Sequence, residues 1–496
     1  MSEISRSDLD SWEKMVRTGK ASDVAVILSA LSKGDIPPPL FEKIANLAWR
    51  TGCPQVGIKI LFNDIRINQN LREHPNPGMV AEYAGCLIEL GAIGEARILL
   101  KQVEKKNHRA DFFLAMIALK EWDYETASAK LEAYSATVKD SYERHVVTIN
   151  LLATYVYLTK YEKALKLLAE IKAELSKGKL TQLLGNCLEI ESQIHIGRDE
   201  FAEAASCLTE AESLLATSKN MGWLYCKKWR FYVKLKQSEK PQELGSEFLS
   251  LRKHALGLKG WETLRDLDFL WAMTTKNKYL FHRVYFGSPA DNYRQRILKS
   301  AKTHFSSLKF DQEFIWNSQA DYSQVKNKFE LDSLLSDKGI PGFLPKKLLR
   351  VLFLDFYSPF RVGHLFSLLF PEDYFDFESS PGRVFQLLQR VRLGLKDLDV
   401  PVELDTSTGG YRLKSSEGCG IQIAYNEKQK LPDDKLEIDL GDLKAKFLDK
   451  LFSASEVGKK LNKSQRTVNR MIKQLLEDGN LVSEGKARST KYRFVD

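Results

Sequence analysis

The feature that most constrains the fold is a weak internal repeat filling the first half of the chain. A small residue is followed about twelve positions later by a second one at Ala45/Gly57, Ala84/Ala96 and Ala115/Ala127. The pattern continues, less cleanly, at Leu152/Ala164 and Ser192/Ala204. Four positions beyond each second member stands a leucine: Leu61, Leu100, Leu131, Leu168 and Leu208. An aromatic or aliphatic residue often precedes the second small residue by three, as at Ile93, Tyr124, Tyr161 and Phe201. Two antiparallel helices approach closely only where both side chains are small, and the larger residues then fill the space between successive hairpins. One hairpin cannot bury its own apolar face, so hairpins patterned this way must stack. The fold class expected is mostly α, an N-terminal α-solenoid of helical hairpins over residues 1–275. Pro37-Pro-Pro39 and His74-Pro-Asn-Pro77 mark breaks between hairpins.

Leu151-Leu-Ala-Thr-Tyr155 followed by Tyr161-Glu-Lys-Ala164 resembles the tetratricopeptide repeat. The spacing drifts between about 31 and 40 residues, against 34 in that family. The consensus tryptophan and terminal proline are mostly missing. The resemblance implies a concave surface that takes a protein or peptide, or a scaffold that holds the C-terminal domains or dimerises the chain.

Composition narrows the class. At 496 residues the chain has length for three or four domains with proper cores. Its net charge of +9 is mildly basic. Six cysteines, at 53, 86, 187, 207, 226 and 419, show no Cys-x-x-Cys, the usage of a reducing compartment. The start carries early acids and no apolar run, and no stretch of about 18 apolar residues occurs. The expectation is a cytoplasmic protein with no membrane partner. The glycine-rich phosphate loops, the nucleophile elbow and His-Glu-x-x-His are all missing. The eight histidines do not pair with one another at ligand spacing. A non-enzyme without cofactor or metal is therefore expected.

Residues 276–338 read as an α+β connector. Leu280-Phe-His-Arg-Val-Tyr-Phe286 suggests a strand, residues 292–304 a helix, and 313–316 and 329–331 short strands. Residues 339–416 suggest helices over 344–352, 361–370 and 381–398, then a hairpin from 401–404 and 410–413. Leu369-Phe370-Pro371, Arg390-Val-Arg392 and Thr408-Gly-Gly-Tyr411, in that order, are similar to the effector domain of OmpR/PhoB-type response regulators. The resemblance implies a winged helix with Arg383, Gln386, Gln389 and Arg390 toward DNA and Val384, Leu387, Leu388 and Val391 inward. The preceding loop, 372–378, carries four acids, which repel phosphates. That domain is expected to read a neighbouring half-site, to couple two chains as a homodimer, or to contact polymerase. No aspartate-bearing receiver domain precedes it.

Residues 417–440 read as a polar linker to a last domain at 441–496. Helices are expected there over 442–451, 455–461 and 465–476, with a hairpin from 481–482 and 491–494. Ser453 and Glu456 fit a capping box. Val468, Met471, Ile472 and Leu475 recur at helical spacing and should face a core. Phe452-Ser-Ala-Ser-Glu-Val, Lys463-Ser-Gln-Arg-Thr-Val-Asn-Arg and Gly485-Lys-Ala-Arg-Ser-Thr-Lys-Tyr resemble the winged helix-turn-helix of bacterial regulators. The resemblance assigns Gln465, Arg466, Asn469, Arg470 and Lys473 to the outer face of a recognition helix in the major groove. It assigns Lys486, Arg488, Ser489, Thr490 and Lys491 to the wing. Thirteen Lys and Arg stand against seven Asp and Glu over 441–496, an excess of six and the footprint of a polyanion.

Two functions follow as expectations. One is a transcription regulator whose solenoid binds a protein or peptide and whose terminal domain reads double-stranded DNA. The other is a non-enzymatic scaffold without nucleic acid, since helical repeats ending in a winged helix also resemble the PCI modules of large assemblies.

Overall fold

The computed structural model describes residues 4–70, 75–216, 221–304, 313–318 and 325–424, and beyond these 447, 451–461, 468, 469, 471, 472, 475, 476, 481–484 and 490–494. The chain divides into two units, Met1–Ala424 and Tyr425–Asp496.

In the first unit, sixteen helices form eight hairpins. They are α1 (Arg6–Arg17) with α2 (Ala21–Ser29), α3 (Phe41–Arg50) with α4 (Pro54–Asn70), α5 (Pro77–Leu90) with α6 (Ile93–Val103), and α7 (Arg109–Lys120) with α8 (Tyr124–Ser135). The stack continues with α9 (Ser141–Tyr157) and α10 (Tyr161–Lys177), α11 (Thr181–Gly197) and α12 (Phe201–Leu215), α13 (Met221–Gln237) and α14 (Gly245–Gly257), and α15 (Trp261–Thr275) and α16 (Lys278–Phe286). The small residues sit where the repeat requires them. Ala45, Ala84, Ala96, Ala115, Ala127, Ala164 and Ala204 are fully buried, as are Leu61, Leu100, Leu131 and Leu208. A Cβ on Gly57 would stand 2.4 Å from Cys86 Sγ and 3.2 Å from Ala45 Cα, which shows how closely α3, α4 and α5 approach. Side chains hold several helix starts: Asn76 accepts from the Gly78 amide, Asp123 from Thr126 and Asp140 from Glu143.

One expected strand is a helix. Leu280–Phe286 forms most of α16, opened by the Asn277 side chain accepting from the Leu280 amide at 3.0 Å. Its β-branched and aromatic residues favour a strand locally, but residues 280–285 are all buried here and complete the last hairpin. Tertiary burial outweighs a propensity difference of only a few tenths of a kcal/mol per residue.

The rest of the first unit is a module built on the solenoid. It comprises α17 (Asp291–His304), β1 (Glu313–Trp316), β2 (Asn327–Glu330), α18 (Leu331–Leu335), α19 (Phe343–Leu352), α20 (Val362–Leu369), α21 (Ser380–Asp397), β3 (Val402–Asp405), β4 (Arg412–Ser415) and β5 (Cys419–Ala424). β3 and β4 form the expected hairpin, with Leu404 opposite Leu413, and a bridge joins Phe360 to Tyr411. The start of the stretch expected to be linker is instead β5, the central strand of a three-stranded sheet. β5 runs antiparallel to β1 and parallel to β2, with Phe314 opposite Ile423 and Phe329 opposite Ile421. Alternation of Cys419, Ile421 and Ile423, all buried, is what a half-covered strand demands.

In the second unit the Ser453 hydroxyl accepts from the Glu456 amide, and the Glu456 carboxylate accepts from the Ser453 amide at 2.7 Å, opening the helix Ala454–Leu461. Strands β6 (Leu481–Glu484) and β7 (Lys491–Phe494) pair antiparallel, and Tyr492 also bridges to Phe452. Val468, Met471, Ile472 and Leu475 are buried with Phe447, Phe452, Val457, Leu481 and Phe494 in one core. The expected helix over 442–451 lies outside the described residues apart from Phe447 and Leu451.

Candidate functional site

The first helices of successive hairpins share an inner face, and that face lines an open lumen of about 1050 Å³. Its wall takes Gly85, Ile88 and Glu89 from α5, and Phe113, Met116 and Lys120 from α7. Ile149, Ala153 and Tyr157 come from α9, Gln182, Asn186, Glu189 and Gln193 from α11, and Tyr225, Lys228 and Trp229 from α13. Glu262, Thr263, Arg265 and Asp266 of α15 complete that side. The module supplies Tyr293, Asp355, Arg361 and His364.

The module reaches the lumen because it is tied to the solenoid at two places. At one, Asp355 Oδ1 and Oδ2 each accept from Arg265 Nη2 at 2.8 Å, and Tyr357 donates its hydroxyl to Asp268 at 3.0 Å. Burial works against the Arg265 charge, and the Asp355 and Glu262 carboxylates more than offset it, leaving its pKa raised. At the other, α20 lies on α5 and α6: a Cβ on Gly363 would stand 2.5 Å from Leu90 O, and one on Gly91 2.7 Å from His364 Cβ. Gly91 also has φ +90°, a conformation glycine adopts without strain. The acidic loop 372–378 docks here too. The Phe375 amide donates to Glu95 Oε2 at 2.6 Å, Tyr374 lies under the Arg66 guanidinium at 4.3 Å, and Phe377 lies under Lys59 at 5.3 Å.

The far wall of the lumen concentrates charge among aromatic rings. Lys228, nearly buried, gives an ion pair to Asp266 at 2.7 Å and sits 4.2 Å from the Trp229 ring. Burial alone would lower its pKa, but Asp266 and its neighbours raise it above the usual lysine range. Glu189 is 6% exposed and accepts from Gln193 Nε2 at 2.9 Å. Burial pushes its carboxyl up to about 7, with Lys228 pulling the other way. Tyr157, raised to about 12 by burial, stacks on Tyr124 at 4.5 Å. The Arg296 guanidinium from α17 rests 4.8 Å from the Tyr157 ring. Tyr293 Oη and Thr263 Oγ1 are buried without a hydrogen-bond partner among the described residues. Gln182 and Asn186, one turn apart, likewise keep their amides free among the described residues. Such a wall can accept a chain that brings both donors and acceptors.

These lumen residues were not among the expected binding residues. A signal for them exists: Gln182, Asn186, Glu189 and Gln193 make a polar stripe at helical spacing along α11, whose Leu188, Ile194 and Ile196 are buried.

The residues expected to contact DNA are distributed differently. On α21, Arg383, Gln386, Gln389 and Arg390 are exposed, while Val384, Leu387, Leu388 and Val391 are buried. Arg383 is engaged within the chain, paired to Asp373 at 2.8 Å and stacked 3.9 Å from the Phe370 ring. Gln389 accepts from Arg392 at 2.6 Å. In the second unit Asn469 is helical and exposed, Thr490 is half-buried and Lys491 is exposed on β7. Gln465, Arg466, Arg470, Lys473, Lys486, Arg488 and Ser489 lie outside the described residues.

Residues 94–220 match the tetratricopeptide repeat-like domain family. That match covers the middle hairpins of a mostly helical architecture, which therefore includes tetratricopeptide-like repeats. No curated protein matches the chain. Among the described residues, no helix is long and apolar enough to cross a membrane.

Proposed function

We propose that the protein is a non-enzymatic interaction scaffold whose solenoid lumen holds a peptide segment of a partner. The observation that carries this reading is the inner wall, where Gln182 and Asn186, whose amides make no hydrogen bond among the described residues, line the same cavity as Tyr157, Tyr225 and Trp229. Side-chain amides donate and accept at once, so they can pair with a peptide backbone whatever its sequence. Tyr157, Tyr225 and Trp229 supply apolar contact beside them. Peptides selected from a random display library on the full chain are expected to bind the wild type. They should lose at least tenfold in affinity when Gln182→Leu and Asn186→Leu are combined. Binders whose affinity that double variant leaves intact would place recognition elsewhere and sink the reading.

A second reading concerns the terminal unit as a winged helix that binds double-stranded DNA. Its support is the excess of six positive charges over 441–496, together with the capped helix Ala454–Leu461, the buried apolar set and the β6–β7 hairpin. Arg466 and Arg470 would take guanine edges or phosphates, Gln465 and Asn469 would read bases, and Lys486, Arg488 and Lys491 would grip the backbone. Phosphate contacts make duplex affinity fall steeply with salt. Replacing Arg466 and Arg470 together should cost a few kcal/mol, at about 1–3 per base contact. Duplex binding that is indifferent to both salt and that replacement would leave the scaffold alone. The middle module suits protein contact better than phosphate contact. Its exposed α21 face carries Phe385 and Leu393, and its Arg383 is already paired.

A further inference from the structure

On the face of α11 turned away from the lumen, three side chains of metal-binding type converge. Glu191 and His195 stand one helical turn apart on α11, and Cys207 comes from α12. A carboxylate oxygen, an imidazole nitrogen and the Cys207 Sγ all lie within 4.8 Å of one another. A tetrahedral zinc ion with bonds of about 2.0–2.3 Å holds its donors somewhat closer, about 3.3–3.8 Å apart, so side-chain rotations suffice to close the set.

We propose that Glu191, His195 and Cys207 bind a divalent transition-metal ion of the zinc type, with the fourth position open to water or to a partner's ligand.

Support comes from what holds the three donors. His195 Nδ1 meets the Glu200 carboxylate at 2.6 Å, so an Nδ1–H donated there leaves Nε2 with its lone pair for the ion. Lys172 Nζ donates to Glu191 Oε2 at 2.6 Å, which fixes that carboxylate and leaves its other oxygen. Outer partners of this kind orient metal ligands and make an imidazole more basic. Accessibility fits as well. Five of the six cysteines are buried, and Cys207 is the half-buried one. A thiolate with an imidazole and one carboxylate is a donor set for zinc or cobalt, whereas calcium and magnesium prefer oxygen alone. Binding converts the thiol to a thiolate and delivers its proton to solvent, so affinity rises with pH. Glu191 and His195 are spaced four apart, as two ligands on one helix face must be. That signal was present in the chain, but only the α11–α12 hairpin brings the thiol to it.

Titration of the full-length protein with Co²⁺, followed by absorption, tests the site. The wild type should bind one equivalent with a thiolate-to-cobalt charge-transfer band, and zinc should displace it. Cys207→Ser should abolish the band, and His195→Ala should weaken binding at least tenfold. Glu200→Gln should keep the band while lowering affinity by about 10- to 100-fold. Circular dichroism of each variant separates loss of metal from loss of fold. A wild type without the band, or a band that survives in Cys207→Ser, would overturn the assignment. The wild-type result alone decides the first point even where a variant unfolds.

Discussion

Glu189 is a side chain whose environment overrides its intrinsic chemistry. It sits on α11 beside Lys228 and Tyr157, with Gln193 and Trp229 bonding it directly among the described residues. Burial raises its carboxyl from 4.5 to about 7. A raised acid binds its proton more tightly in the folded chain than in the unfolded one. Its contribution to stability is therefore full below about pH 4.5 and is lost as pH rises through about 7. Glu189→Gln keeps an acceptor for Gln193 and removes the titration. Thermal unfolding of this variant should gain on the wild type between pH 5 and 8 by about 3 kcal/mol at most. Parallel pH profiles for the two proteins would show that the carboxyl is not desolvated. Nothing about Glu189 marks it in the sequence as different from Glu191, two positions on. Folding makes the difference, because it buries Glu189 and leaves Glu191 partly exposed.

The helices and hairpins were the most legible level. The twelve-residue spacing of small residues placed α3 to α12 correctly, because close helix packing leaves no alternative at Ala84 and Ala96 or at Ala115 and Ala127. In the second unit, the burial of Val468, Met471, Ile472 and Leu475 followed from helical periodicity in the same way. Two elements were misread. Residues 280–286 look like a strand yet form α16, and β5 hides in a segment that reads as linker. Both are decided by distant partners: α15 for the helix, and β1 and β2 for the strand. The seat of α20 is another such long-range feature. Gly363→Ala would press a methyl group against Leu90 O, at a cost of about 1–3 kcal/mol for overpacking. Hydrogen exchange should speed up in α20 and in the turn at Gly91 while α11 and α12 stay protected. Equal acceleration across all hairpins would mean that the seat is not a local contact.

Taken together, the first unit is a solenoid whose inner face is bridged by its own later residues. Arg265 and Asp355, ninety positions apart, form the innermost tie, and both are nearly buried. Asp355→Ala would strand a buried guanidinium with Glu262 as its remaining carboxylate, at a cost of about 3–5 kcal/mol. The expected result is a lower unfolding temperature that Asp355→Asn restores only in part, since an amide accepts one bond but carries no charge. A variant as stable as the wild type would show that the tie at Gly91 and Gly363 suffices alone.

From its amino acids alone the chain was committed to stacked helical hairpins, to a capped helix with an apolar face near its end, and to a basic excess in its last residues. Those features follow from local periodicity, side-chain size and charge, which need no distant partner to be read. The lumen, the ionisation of its buried groups and the meeting of Glu191, His195 and Cys207 arose only on folding. Each depends on residues from different helices being brought within a few ångströms, and on water being excluded from some of them.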